Sequence, residues 1–109
     1  MPGYYTLAQG NSGKFTFNLK SGNHQAVLTS EAYESRAAAL AGIASVQKNA
    51  ASESQFERKS AKNGELYFVL KAANGQVIGR SETYPTAAAM EKGIRSVMAN
   101  GASTDVREA

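Results

Sequence analysis

The chain has no cysteine and a single histidine among its 109 residues. Without cysteine it can form no disulfide, perform no thiol chemistry and build no cysteine-based metal site. The absence of disulfides fits a reducing compartment. Long apolar runs are also missing, since residues 37–44 (AAALAGIA) fall far short of the roughly 20 residues that span a bilayer. The first ten residues lack the basic and apolar pattern of a secretory signal, so we expect a cytosolic protein without membrane contact.

Familiar catalytic motifs are absent as well. The sequence contains no phosphate-binding loop, GxGxxG, GxSxG or HExxH. The only histidine, His24, falls in a predicted hairpin turn, and no partner for a triad or a metal site is signalled nearby. Glu31 and Glu82 precede predicted helices, where a carboxylate favours the helix N-terminus. We therefore expect no catalytic, cofactor-binding or metal-binding residue and no enzyme activity, with an enzyme of unrecognised site as an alternative.

The charge of the chain is positive but dispersed. The net charge is +3 and the sequence pI is about 9.3. Basic residues are spread along the chain, and the only local concentration is ERKSAK at residues 57–62. Proteins that bind nucleic acids usually concentrate such charge on one face or tail. The distribution favours a role in solubility, and nucleic-acid binding stays an alternative.

The sequence contains an internal repeat, in which each residue of the first half corresponds to the residue 51 positions later, beginning with Gly13 and Gly64. The two halves align without a gap as far as Ser52 and Ser103. Identical pairs occur throughout, among them Phe17/Phe68, Leu19/Leu70, Lys20/Lys71, Ser30/Ser81, Glu31/Glu82, Tyr33/Tyr84, Gly42/Gly93, Ile43/Ile94 and Val46/Val97. Self-similarity at a fixed period indicates repeated structural units.

Each repeat begins with strand patterns. KFTFNLK and ELYFVLK alternate with period two, which places Phe15, Phe17 and Leu19, and likewise Leu66, Phe68 and Leu70, on one face. SGNHQ and AANGQ follow as turns, and Asn74-Gly75 is a strong hairpin signal because both residues tolerate positive φ. A third strand then runs through QAVLTSE or QVIGRSE.

A helix closes each repeat. Ser35 and Thr86 are suitable N-caps, because a hydroxyl can accept from an early backbone amide. The inward stripes are predicted to be Ala39, Ile43, Val46 and Ala50 in one helix and Met90, Ile94, Val97 and Gly101 in the other. The repeated Gly42 and Gly93 indicate that the helix backbone lies close to the sheet. Glu91 and Arg95, four residues apart, read as a surface ion pair.

The linker at residues 55–61 belongs to both repeats. It follows the first helix as STDVREA follows the second, and it also corresponds to the start of the first repeat. We therefore predict one domain over residues 1–109, with repeat one at 5–58 and repeat two at 56–109. A unit of about 50 residues buries too little surface to be comfortably stable alone. Two units joined edge to edge form one antiparallel sheet of about seven strands, with two helices on one face and the C-terminal strand paired on repeat one.

These motifs resemble the YegP-like family of small bacterial domains without an assigned function. The resemblance rests on the aromatic strand ending in LK, the N-x-Q turn, the SE-x-Y strand end and the G-I-x-S-V helix, and it covers residues 5–108 in both repeats. It implies tandem βββαβ units with exchanged C-terminal strands. It also implies that single-unit members dimerise and that this chain is a monomer that mimics such a dimer. The resemblance carries over no catalytic residue.

The outward side of the predicted sheet is the candidate partner surface. Tyr67 offers a flat ring, and Lys20 and Lys71 offer charges at equivalent positions of the two repeats. RNA-binding sheets use aromatic residues in this way, usually with two or three rings and more charge. Our leading hypothesis is a small non-enzymatic binding or interaction module with an unknown partner, for which a protein is one candidate. Weak or non-specific nucleic-acid binding through this face is the alternative, and a merely solvated face is the third reading.

Overall fold

The computed structural model describes residues 3–108. Met1, Pro2 and Ala109 lie outside the described residues, and so do the predicted domain limits at 1 and 109. The chain forms β1 (Tyr4–Gln9), β2 (Phe15–Lys20), β3 (Ala26–Ser30), α1 (Arg36–Asn49), β4 (Phe56–Ser60), β5 (Leu66–Lys71), β6 (Val77–Arg80), α2 (Ala87–Asn100) and β7 (Val106–Glu108), with a short 3-10 turn (Glu53–Gln55) before β4. The predicted α+β class with two repeats and seven strands is confirmed.

All seven strands form one sheet in the order β4-β5-β6-β3-β2-β1-β7. The C-terminal strand pairs with β1, as predicted for exchanged C-terminal strands. This last pair is parallel while the other neighbours are antiparallel, so the sheet is mixed rather than wholly antiparallel. The two strands of this parallel pair are the first and the last of the chain, so far more residues connect them than the dozen or so that a parallel pair requires.

The two repeats join between β3 and β6. Thr29 pairs with Arg80 and Ser30 with Gly79 at this join. Thr29 and Arg80 are equivalent positions of the two repeats, so an approximate twofold axis passes through their pair. A Cβ added at Gly79 would lie 2.7 Å from the Thr29 carbonyl oxygen. Glycine at position 79 therefore permits the close approach of the two strands.

A buried serine ends the third strand of each repeat. The Ser30 hydroxyl accepts a 2.8 Å hydrogen bond from the Phe17 amide and donates one to the Glu31 carbonyl. Ser81 makes the same two bonds with Phe68 and Glu82. The Ser-Glu pair recurs in both repeats because its hydroxyl satisfies backbone groups at a point where the ladder is interrupted.

Both helices lie on one face of the sheet and close a single core. The predicted inward stripes are buried, and so are Phe17, Leu19, Phe68 and Leu70 on the facing strands. The predicted caps are confirmed, with the Ser35 and Thr86 hydroxyls accepting from Ala38 and Ala89 at 3.1 Å. Within residues 3–108 neither helix is long and apolar enough to cross a membrane.

Gly42 and Gly93 mark where tyrosine rings pass beneath the helices. A Cβ at Gly42 would collide with the Tyr33 hydroxyl, and one at Gly93 would collide with the Tyr84 hydroxyl. The rings of Phe17 and Tyr33 stack at 6.1 Å, as do those of Phe68 and Tyr84 at 6.4 Å. The predicted close approach is therefore made by these side chains, which fill the space between helix and strands.

One electrostatic expectation is wrong. Glu91 forms its ion pair with Arg58 of β4, and Arg95 makes only a smaller contribution to lowering the pKa of Glu91. Glu31 and Glu82 precede the helices, and the first helical turns themselves contain no acidic residue. Glu31 instead helps to raise the pKa of Tyr33, and Glu82 that of Tyr84, although burial is the larger cause in both tyrosines.

Candidate functional site

The face of the sheet opposite the helices is here called the open face. Residues that pair directly across strands share a face, and Asn18, Thr29, Arg80 and Val69 are aligned in this way across the middle of the sheet. The same alternation places the following residues on the open face: Tyr4, Thr6 and Ala8 in β1, Thr16, Asn18 and Lys20 in β2, Thr29 in β3, Glu57 and Lys59 in β4, Tyr67, Val69 and Lys71 in β5, Arg80 in β6 and Arg107 in β7.

The charge of the open face is strongly one-sided. Its strands carry five cations, Lys20, Lys59, Lys71, Arg80 and Arg107, and a single carboxylate, Glu57. These strand positions have a net charge of +4 in a chain whose total is +3, so the remainder of the protein is slightly negative. The sheet therefore brings five of the twelve basic residues, dispersed in sequence, to one surface.

The only carboxylate on the strand positions of this face is held between two lysines. Glu57 contacts Lys71 at 2.5 Å and Lys59 at 3.9 Å. The hydrogen bond from Lys71 and the positive charge of both lysines lower the pKa of Glu57. The carboxylate is therefore ionised at neutral pH, and it positions these two cations.

Two aromatic rings, those of Tyr4 and His24, lie at the edge of the open face beside β7. The Arg107 guanidinium lies 3.9 Å from the centre of the Tyr4 ring, in a cation–π arrangement. The Tyr4 hydroxyl is 2.8 Å from Nδ1 of His24, and the two rings meet edge to face. His24 has φ 69°, in the turn position that Gly75 occupies in the second repeat. The predicted turn histidine is thus a packing partner of Tyr4.

Arg80 lies at the centre of the open face. Among residues 3–108, no carboxylate lies within ion-pair distance of its guanidinium. Its cross-strand neighbour Val69 is only 5% exposed although no helix covers this face. Glu57 and Arg80 flank Val69 on either side, and Tyr67 and Lys71 lie two residues along its own strand. A small apolar spot is thus enclosed by long charged and aromatic side chains.

A cavity of about 390 Å³ opens at the end of the face where β4, β5 and β6 meet. Tyr67, Arg80 and Lys62 line it, together with Ser60, Glu82 and Thr83. We call it the Tyr67 pocket. Tyr67 is partly exposed, whereas Arg80 and Lys62 are exposed. The pocket thus combines an aromatic ring with two cations.

The structure separates the three predicted surface residues. β2 and β5 run in opposite directions, so Lys20 and Lys71, each the last residue of its strand, lie at opposite ends of the sheet. Tyr67 lies at the same end as Lys20, but β3 and β6 intervene and place them roughly 14 Å apart at the usual strand spacing. All three lie on the open face, and they do not form one compact cluster.

Sequence reasoning missed Arg80, Lys59, Lys62 and Arg107. Lys59 and Arg107 follow the strand alternation of ERKS and VRE, so a period-two count could have placed them. Arg80 lies beyond the irregularity between Leu70 and Lys71, which shifts the register of β6. Its face could not be read from alternation alone.

A second cavity, of about 320 Å³, lies between the β2–β3 turn and α2. Asn23, Gln25, Tyr84, Lys92 and Ser96 are among its lining residues. It contains one cation and one acid, Glu82, and no accessible aromatic stacking surface other than the partly buried Tyr84. Its charges are balanced, unlike those of the open face.

Comparison with known proteins places both repeats in one family. The profile of DUF1508, described as a domain of unknown function, matches residues 11–57 and 61–108. The chain is 55% identical over 106 residues to the UPF0339 protein MS1092 of Mannheimia succiniciproducens, covering 97% of this chain and 94% of that protein. It is 48% identical over 108 residues to the UPF0339 protein YegP of Escherichia coli strain K12, covering 99% and 98%.

Two solved structures share the fold. The solution NMR structure of yegP from E. coli, a protein of unknown function, superimposes with a TM-score of 0.94 at 48% identity and covers 99% of this chain and 93% of that chain. The solution NMR structure of UPF0339 protein SO3888 from Shewanella oneidensis gives 0.93 at 44% identity, covering 99% and 92%. The chain therefore belongs to the DUF1508 (UPF0339/YegP) family, and the resemblance seen in the sequence is confirmed.

Proposed function

We propose that this member of the DUF1508 family is a non-enzymatic binding module whose open face takes an anionic partner. The observation that carries the proposal is the charge of that face, a net +4 on its strands in a chain of net +3. A surface that concentrates one sign of charge raises the local concentration of opposite charges and speeds their association. The bare sheet leaves Lys59 and Arg80 exposed and Lys20 partly exposed, while Lys71 is paired with Glu57 and Arg107 with Asp105.

The ionisable groups support binding rather than catalysis. The pKa of Glu57 is lowered by Lys71 and Lys59, so it is a poor proton donor at neutral pH. Burial raises the pKa of Tyr33 and Tyr84 above the usual 10, so neither hydroxyl is a useful base there. Within residues 3–108, no three His, Asp or Glu side chains are grouped as metal ligands.

The test is retention on a heparin column, with the salt concentration for elution as the readout. The variant replaces three open-face cations with alanine, Lys20, Lys59 and Arg80. A charge-matched control replaces three exposed helix cations, Lys48, Lys92 and Arg95. We expect the open-face variant to elute at clearly lower salt than the control, because the phosphate-like charges of the matrix contact only one face.

Equal elution of the two variants would mean that net charge, and not the open face, governs retention, and the proposal would then be wrong. The alternative of an enzyme with an unrecognised site requires a cleft with groups whose pKa is tuned towards neutrality. The shifts on Tyr33, Tyr84 and Glu57 all lead away from neutrality.

A further inference from the structure

We propose that the Tyr67 pocket seats one nucleotide of a single-stranded nucleic acid, with the base stacked on Tyr67 and the backbone phosphate between Arg80 and Lys62. This inference rests on the proposed function and names the chemical class of its partner. It adds a stacking site to an electrostatic surface.

The pocket has the dimensions and the groups that a nucleotide requires. Its volume of about 390 Å³ lies within the range of small-ligand sites, about 300–1,000 Å³. Arg80 pairs with Val69, two residues along β5 from Tyr67, so ring and guanidinium are diagonal neighbours on one face. The Thr83 hydroxyl on the rim can accept a hydrogen bond from a base amino or imino group.

The two repeats provide an internal comparison. Subtracting 51 places Thr16 at the position of Tyr67, Thr29 at that of Arg80 and Asn11 at that of Lys62. The first repeat folds on the same plan with these small polar residues. The fold therefore does not require Tyr67, Arg80 or Lys62. Their grouping in only one of the two repeats supports a binding role for this pocket.

Further cations lie on both sides of the pocket. Lys59 lies directly opposite Tyr67 on β4. On the other side, Lys20 lies at the end of β2, beyond β6 and the uncharged Thr29 of β3. A single strand stacked at Tyr67 can thus place neighbouring phosphates near Lys59 and Arg80. Grooves that track the backbone and carry stacking aromatics are how proteins bind single strands without sequence preference.

An acidic polypeptide would also be attracted to these cations. It has no planar base, so it would depend on Arg80 and Lys59 and gain little from the Tyr67 ring. The ring therefore distinguishes the two partner classes. A leucine at position 67 keeps an apolar side chain and removes the stacking surface, while a phenylalanine keeps the ring.

The experiment measures binding of fluorescently labelled oligothymidylate to the full chain and to Tyr67→Leu, Tyr67→Phe and Arg80→Gln. Thr16→Leu, the equivalent change in repeat one, is the matched control. We expect Tyr67→Leu to weaken binding about tenfold and Tyr67→Phe to stay within about twofold of wild type. Arg80→Gln should reduce the slope of log affinity against log salt by about 0.7, the value for one phosphate of a single strand. Tyr67→Leu should leave that slope unchanged.

Three results would overturn the inference. One is an unchanged affinity of Tyr67→Leu for oligothymidylate, which would show that no base stacks on Tyr67. If the salt dependence were intact, the proposed binding by the cationic face would still hold. A second is tighter binding of oligoglutamate than of oligothymidylate, which points to an acidic protein partner. A third is binding of free thymidine monophosphate as tight as that of the oligonucleotide, which points to a free nucleotide. If heparin retention also does not depend on the open face, the proposed function is wrong as well as the stacking site.

Discussion

Arg58 on β4 forms a two-point ion pair with Glu91 on α2, at 2.5 and 2.8 Å. Their counterparts in the first repeat are Leu7 and Leu40, which belong to or pack against the core. β7 covers the outer edge of β1 beside Leu7, whereas no described strand lies beside β4. The chain thus has an ion pair at β4, which is an edge strand, and leucines at the equivalent positions of repeat one, where β7 covers β1. Charged residues on an edge strand oppose pairing with another chain.

Replacing this ion pair with the residues of repeat one should promote self-association of the chain. We expect Arg58→Leu/Glu91→Leu to self-associate through β4 as the protein concentration rises, because apolar side chains would then take the place of the ion pair at the edge strand. Sedimentation velocity over a concentration series measures this. The control Lys48→Leu/Arg95→Leu adds the same apolar area away from the edge and should sediment as wild type. Identical behaviour of both double variants would show that the ion pair does not protect the edge.

The buried Tyr5 hydroxyl stabilises the junction between α2 and β7. It donates a 2.6 Å hydrogen bond to the Gly101 carbonyl, and the Tyr5 amide donates to Asp105. Tyr5→Phe leaves that carbonyl without its partner, which costs about 1–3 kcal/mol of unfolding free energy. Urea unfolding measures the loss. Tyr67→Phe removes a hydroxyl from the partly exposed ring of the open face and should change the unfolding free energy little; an equal effect of the two changes would contradict the buried bond.

Alkaline pH should destabilise the fold through the same residue. Burial raises the pKa of Tyr5 far above its usual value of 10.0. A folded-state pKa above the unfolded one contributes stability at pH values below 10, and this contribution is lost as the pH rises beyond that. The melting temperature should therefore fall above pH 10, and less steeply in Tyr5→Phe. Tyr33 and Tyr84 have raised pKa values too, so some alkaline loss should persist in the variant. Parallel pH profiles for the two proteins would count against this origin.

The glycine in each helix should resist substitution. Gly93→Ala should gain about 0.5–1 kcal/mol of unfolding free energy from the higher helix propensity of alanine. Its methyl group, however, would clash with the Tyr84 hydroxyl. Overpacking typically costs about 1–3 kcal/mol, so we expect a net loss of unfolding free energy. Adding Tyr84→Phe removes the nearer of the two colliding atoms, the hydroxyl, and leaves the ring carbon Cζ at 2.8 Å, so it should recover part of the loss. A stabilised Gly93→Ala variant in urea unfolding would show that the ring can move aside.

Local features of the fold could be predicted from the sequence because they depend on nearby residues. The alternation around Phe17 and Phe68 and the caps Ser35 and Thr86 each depend on neighbours a few residues away. The repeat also indicated one shared sheet and the exchanged last strand. The partner of Glu91 could not be found in this way, because Arg58 is 33 residues distant and an equally spaced Arg95 lies on the same helix.

The candidate site could be predicted only in part. Lys20, Tyr67 and Lys71 were assigned correctly to one face by alternation, since side chains of a strand point to opposite faces in turn. Their distances from one another depend on the strand order. Antiparallel joining of the repeats at Thr29 and Arg80 sends Lys20 and Lys71 to opposite ends of the sheet. The pairing of β5 with β6 brings Arg80 beside the Tyr67 ring.

The sequence by itself determined the two repeats, their strands and helices, and the sides on which their apolar residues lie, because hydrophobic periodicity and capping act over single turns and pleats. Tertiary structure decided the parallel entry of β7, the exposed edge at β4 and the gathering of dispersed cations on the open face. These depend on hydrogen bonding between strands far apart in the chain, and no local pattern of residues encodes which edges will meet.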